Sequence, residues 1–186
     1  MQVDVNLSNV VLEELEITME IRLATGPLLD ALKEKALTAA TTNEFCSDVV
    51  AMIKPYFKVV DLVLFTRFDN DSLELVGLHG RPYAKLIDGR FLKLNRKTPV
   101  TDAVRLQRNQ VWPNNQKLLL EYPDLIEWPK IIHAVIAIPV IIKGISVAAC
   151  AYLLDEEFLM SDFTDSSDFL VAVSNLIYQV HLRTSI

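Results

Sequence analysis

The sequence predicts an α+β fold: a central, mostly antiparallel sheet of five to six strands, N- and C-terminal helices packed on one face, and a loop and short-helix roof on the other. Three observations carry this. Val59 to Phe68 and Leu73 to His79 are β-branched and aromatic runs joined by Asp69-Asn70-Asp71, as in a hairpin. Ile131 to Ile142 and Ile145 to Leu154 form a second hairpin about Lys143-Gly144, apolar enough for both strands to be central. From Ser161 to Arg183, Phe169, Val173, Leu176 and Val180 step by 4, 3 and 4, a heptad-like helical seam.

The elements follow in order. Residues 1–27 form an N-terminal segment preceding a domain over 28–186. Residues 9–25 fit two patterns. Leu15, Ile17, Met19, Ile21 and Leu23 alternate as in a strand, while Leu12, Leu15, Met19 and Leu23 have helical spacing. Length and Leu/Glu/Met content favour the helix, which would offer a dimer contact. Pro27 suits the first turn of a helix whose face is Leu28, Leu29, Leu32 and Ala36. Thr41-x-x-Glu44 reads as a capping box opening a helix that stops before Pro55. After the first hairpin, Gly77 and Gly80 read as a strand terminus and turn. Phe91 to Leu94 suggests a short strand. Thr98 caps, and Pro99 begins, a helix to about Gln107. Gln110-Val111-Trp112 is a short strand, and residues 114–127 read as helical or lid-like.

Composition excludes several functions. With 18 Lys+Arg against 24 Asp+Glu, the net charge is −6, and no stretch concentrates cations as a nucleic-acid surface does. The chain has five glycines in 186 residues, where about 7% is usual, and no phosphate-binding glycine loop. The apolar run 131–142, interrupted by His133 and Pro139, is too short to span a membrane. Asp4 and the lack of a long apolar core argue against an export signal, and Cys46 and Cys150 read as buried thiols in a reducing cytoplasm. His79, His133 and His181 lack metal-ligand spacing, so neither a metal nor a cofactor is expected. No serine sits in a nucleophile elbow. Asp155-Glu156-Glu157 reads as a solvated turn, and Asp162, Asp165 and Asp168 as charges favoured at a helix N-terminus.

The chain resembles the GAF family. Thr98-Pro99-Val100-Thr101-Asp102-Ala103-Val104 stands ahead of Asn109-Gln110-Val111-Trp112; Tyr122-Pro123-Asp124-Leu125 follows. Then come Ala134 to Val140, the Lys143-Gly144 turn, the strand Ile145 to Tyr152, and the closing helix from Phe158 to Ile177. The order and spacing of these segments, over roughly residues 28–183, carry the likeness. The family's glycine after its isoleucine is Ser146 here. The resemblance implies a central sheet, helices on one face, a ligand pocket on the other, and dimers through the terminal helices. The residue set of the cyclic-nucleotide-binding members is absent. Neither cysteine has the neighbouring histidine of bilin-binding members. Residues 80–130 lack the cysteine cluster of the free-methionine-sulfoxide reductases, so the chain is not expected to be an enzyme.

The candidate site follows from these readings. Tyr83, Phe91, Trp112, Tyr122 and Trp128 put five large rings in the segment that roofs the family's pocket, with Thr98, Asp102, Arg105 and His133 as polar neighbours. Either they line a small-molecule pocket or they form a mini-core under a long loop. The seam Phe169, Val173, Leu176 and Val180 is either core packing or a dimer interface. Two functions remain open. One is a cytoplasmic sensory or regulatory module that binds an unidentified small molecule non-covalently, forms a homodimer and controls an output domain or partner protein. The other is a ligand-free dimerisation or protein-interaction adaptor. Neither needs nucleic acid or a membrane.

Overall fold

The computed structural model describes residues 25–80, 90–123, 132–157 and 160–185. The helix-or-strand ambiguity before Thr25, Tyr83 and Trp128 lie outside the described residues.

Helix α1 covers residues 25–38, with Pro27 in the first described turn and Leu32 fully buried. In α2 (Thr42–Phe57) the Thr41 side chain caps Glu44 N–H at 3.1 Å. Glu44 reaches one residue beyond the expected box and accepts from Ala40 N–H at 2.8 Å. The helix does not stop before Pro55 but runs through it to Phe57. The missing N–H falls in the last turn, and Phe57, stacked on Phe169 at 5.5 Å, fixes that turn in the core. Lys58, at φ 53°, ends the helix.

Strands β1 (Val59–Arg67) and β2 (Ser72–His79) form the first hairpin. The carboxylate of Asp69 accepts from Asp71 N–H at 2.8 Å and Ser72 Oγ at 2.7 Å, an Asx turn. There follow β3 (Phe91–Lys93), α3 (Pro99–Leu106), β4 (Gln110–Trp112) and α4 (Asn115–Glu121). The second hairpin is β5 (Ala134–Ile142) and β6 (Ile145–Leu154), and α5 (Met160–Thr184) closes the fold. Ile132 and His133, expected in this strand, thus precede it. Lys143 and Gly144 both have positive φ, as a two-residue hairpin turn requires.

The sheet is antiparallel at every pairing, in the order β3-β2-β1-β6-β5-β4. β1 and β6 lie at its centre, buried on both faces. On one face Leu62, Leu64, Ile136, Ile138 and Tyr152 meet Phe45, Val49 and Ile53 of α2 and Leu170, Val173 and Ile177 of α5. Tyr152 Oη lies 2.8 Å from Ser174 Oγ, a buried polar contact holding α5 in register on the sheet. On the other face the small side chains of Ala137, Ala149 and Ala151 give α3 room to lie across β5 and β6. That second face carries the candidate site.

Candidate functional site

The site is built from the start of α3. Thr98 and Thr101 cap each other: Thr101 N–H donates to Thr98 Oγ1 at 3.2 Å, and Thr98 N–H to Thr101 Oγ1 at 3.0 Å. Pro99 supplies a pre-set φ at the first helical position. This fixed turn points Asp102 inward, where it is 4% exposed. Its Oδ1 is paired with Arg105 Nη2. Its Oδ2 accepts the Tyr122 hydroxyl at 2.7 Å. Asn114 caps α4 through Lys117 N–H, and Tyr122 follows at that helix's end.

The Tyr122 ring stands edge-on to Trp112, with centroids 5.1 Å apart and planes at 72°. Trp112 Nε1 donates to Glu121 Oε2 at 2.8 Å, so both aromatic polar handles are satisfied. Lys97 Nζ lies 5.4 Å from the Tyr122 ring centre. Burial raises the Tyr122 pKa, and its hydrogen bond to Asp102 and the nearby carboxylates add to the effect, so the phenol stays a donor.

Asp102, Arg105, Tyr122 and Trp112 therefore come together, with Thr98 capping the helix that carries Asp102. Phe91 does not join them. It lies on β3, at the opposite edge of the sheet from β4, against Phe68 at 4.7 Å. His133 is exposed just before β5, its N–H donating to Leu154 C=O at 2.8 Å. Sequence reasoning missed Lys97 and Glu121, for which spacing gives no signal. On β1, Asp61 is 5% exposed and covered by Gly80. A Cβ at Gly80, which has φ +101°, would fall 1.7 Å from Asp61 Oδ1, so only glycine fits over that carboxylate.

The seam of α5 is turned inward. Phe169, Val173 and Val180 pack in the core shared with α2 and the sheet. Leu176, half-buried, instead lines a groove between α1 and α5 with Leu29, Ala36, Leu37 and Ala172. Arg183 closes the end of that groove, donating to the carbonyls of Ala36, Leu37 and Ala39 at 2.9, 3.2 and 2.7 Å. Both thiols are fully buried on this helical side. Burial pushes Cys46 up to about 12 and Cys150 higher still.

Among the described residues no group of His, Cys, Asp or Glu could hold a metal ion, and no helix is long and apolar enough to cross a membrane. No protein-family model and no curated protein matches the sequence. Solved structures do match the fold. The GAF domain of a phosphoenolpyruvate-protein phosphotransferase from Coxiella burnetii aligns at 13% identity and TM-score 0.65, covering 89% of this chain and 99% of that one. A GAF domain of A. aeolicus in an inactive state aligns at 17% identity and TM-score 0.64, covering 88% and 99%. Free methionine-R-sulfoxide reductase from Neisseria meningitidis, in complex with its substrate, aligns at 12% identity and TM-score 0.64, covering 88% and 92%. This last match corrects the expectation that the chain is not an enzyme. The same backbone carries a reductase, so missing cysteines between residues 80 and 130 exclude one known arrangement and not catalysis on this scaffold. With its six-stranded antiparallel sheet, helices on one face and the α3–β4–α4 roof on the other, the chain has the GAF fold.

Proposed function

We propose that the chain is a regulatory module which binds a small organic molecule non-covalently beneath the α3–β4–α4 roof and acts as a homodimer on an output domain or partner protein. The supporting observation is the buried carboxylate of Asp102, hydrogen-bonded to Tyr122 on the face where the GAF resemblance puts a ligand. One oriented polar group in an aromatic wall is what recognition of a small amphipathic molecule needs. Such a molecule acts by preferring one arrangement of roof and helices over another. The dimer contact would use the outer surface of α1 and α5, around Leu37 and Leu176, because the inner seam is already filled.

Native mass spectrometry of freshly purified protein, followed by a denaturing run, tests this. The expected result is a dimer carrying an extra mass that leaves on denaturation. Trp112→Ala should abolish that binding and keep the dimer, with circular dichroism confirming the fold; unchanged affinity would show that Trp112 does not line the site. The adaptor reading is favoured by one observation: Trp112 and Tyr122 are only 3% and 1% exposed, packed against each other. A dimer at bare mass that takes up no small molecule would support it. Because the fold also carries reductases, the same preparation is assayed for turnover of free methionine-R-sulfoxide, and turnover would replace both readings.

A further inference from the structure

Tyr122 is held as a ligand is held. Its ring lies edge-on to Trp112 and beside the Lys97 ammonium, and its hydroxyl ends on a carboxylate fixed by Arg105. The helix that delivers it buries little surface of its own, and besides Tyr122 it is tied to the cluster by the Trp112–Glu121 hydrogen bond, which must open with it. α4 is seven residues long, and Leu118 is its one buried residue. A strongly recognised side chain on an element that buries so little is the arrangement of a plug.

We propose that this cluster is a phenol-recognition site occupied in cis by Tyr122, and that its external ligand is an aromatic molecule bearing a ring hydroxyl, which displaces Tyr122 and frees α4. The inference rests on the small-molecule reading above and names its ligand class. Each contact selects for that class. A plain arene would leave an oxygen of Asp102 without its donor, which is expensive for a buried carboxylate. An arene ending in a carboxylate would bring like charge against Asp102. The Lys97 ammonium favours the negative face of an electron-rich ring. Because Tyr122 is tethered, it competes at high effective concentration, and the external ligand binds only to the open fraction. Weakening the plug must therefore tighten the ligand.

The test uses p-cresol, the tyrosine side-chain analogue, on the intact chain. Calorimetry should show saturable binding to the wild type. Toluene should bind at least tenfold more weakly, the effect of one hydrogen bond to a charged group. Tyr122→Phe keeps the ring and loses the hydroxyl, so p-cresol should bind that variant about tenfold more tightly than the wild type. Amide exchange over residues 115–122 should quicken on binding. Equal binding of toluene, no binding to folded Tyr122→Phe, or unchanged exchange in α4 would each overturn the proposal. Native mass spectrometry separates it from the reading beneath it. A co-purifying molecule without a hydroxyl-bearing ring overturns the phenol assignment alone. Protein at bare mass that also ignores p-cresol overturns both.

Discussion

Gly77→Ala measures how closely α2 rests on the sheet. Gly77 pairs with Leu64 across the first hairpin. A Cβ there would lie 2.8 Å from Thr42 Cγ2, 3.1 Å from Leu64 Cβ and 3.2 Å from Cys46 Sγ. Gly77 is not among the residues of positive φ, so the objection to a side chain is steric. None of the three neighbours yields easily. Leu64 Cβ is fixed to a central strand, Cys46 is fully buried, and Thr42 stands in the first turn of α2 with its hydroxyl 3.2 Å from that of Thr184. The added methyl must lift the start of α2, an overpacking effect of about 1–3 kcal/mol. At this chain length, about 2 kcal/mol lowers the melting temperature by roughly 4–8 °C. Thr42→Ser removes Cγ2 and keeps the hydroxyl, so it should relieve part of the clash. In a double-mutant cycle by urea denaturation the pair should couple favourably by about 1 kcal/mol. Wild-type stability of Gly77→Ala, or strict additivity of the two changes, would refute the close-approach argument.

Other outcomes follow from the same contacts. Arg183→Ala should lower stability by about 1 kcal/mol, modest because the side chain is partly solvated, and quicken amide exchange at the end of α1; Arg183→Lys should recover less than half, since a point charge cannot span three carbonyls. His181 is held below its ordinary pKa by burial, with Arg90 assisting and Glu74 opposing. The unfolded chain therefore takes the proton first, at about pH 6.5, and this group's contribution is complete above that value and lost as pH falls through it toward the lower folded pKa. His181→Gln should flatten the urea midpoint between about pH 7 and 5; an unchanged profile would refute the assignment. Ellman's reagent at pH 8 should label neither Cys46 nor Cys150 in the native protein and both in urea, and prompt native labelling would contradict their burial.

Local chemistry was legible where one residue type decides it. Thr98-Pro99 marks a helix start because cap and fixed φ coincide, and Lys143-Gly144 marks a hairpin because both positions need positive φ. The roof cluster was partly legible for the same reason: Asp102 follows its cap by a fixed number of residues. Phe91 was grouped with that cluster because sequence proximity does not say which sheet edge a short strand will take. Gly77, read with Gly80 as a strand terminus and turn, lies inside β2, because its role, clearance for a helix far away in sequence, leaves no local mark. The seam of α5 could not be oriented from its period, since a heptad stripe is the same whether it meets its own sheet or a second copy.

The sheet order has a consequence for how the chain is made. β1 lies between β2 and β6, and Leu62 pairs with Tyr152, so the first hairpin leaves one edge of β1 open until the last strand arrives. A ribosome releases β1 and β2 long before β6 can cover them, and high contact order slows the closure. During that interval the row of unpaired amides on β1, flanked by Val63, Leu64 and Phe65, is open to mispairing with another chain.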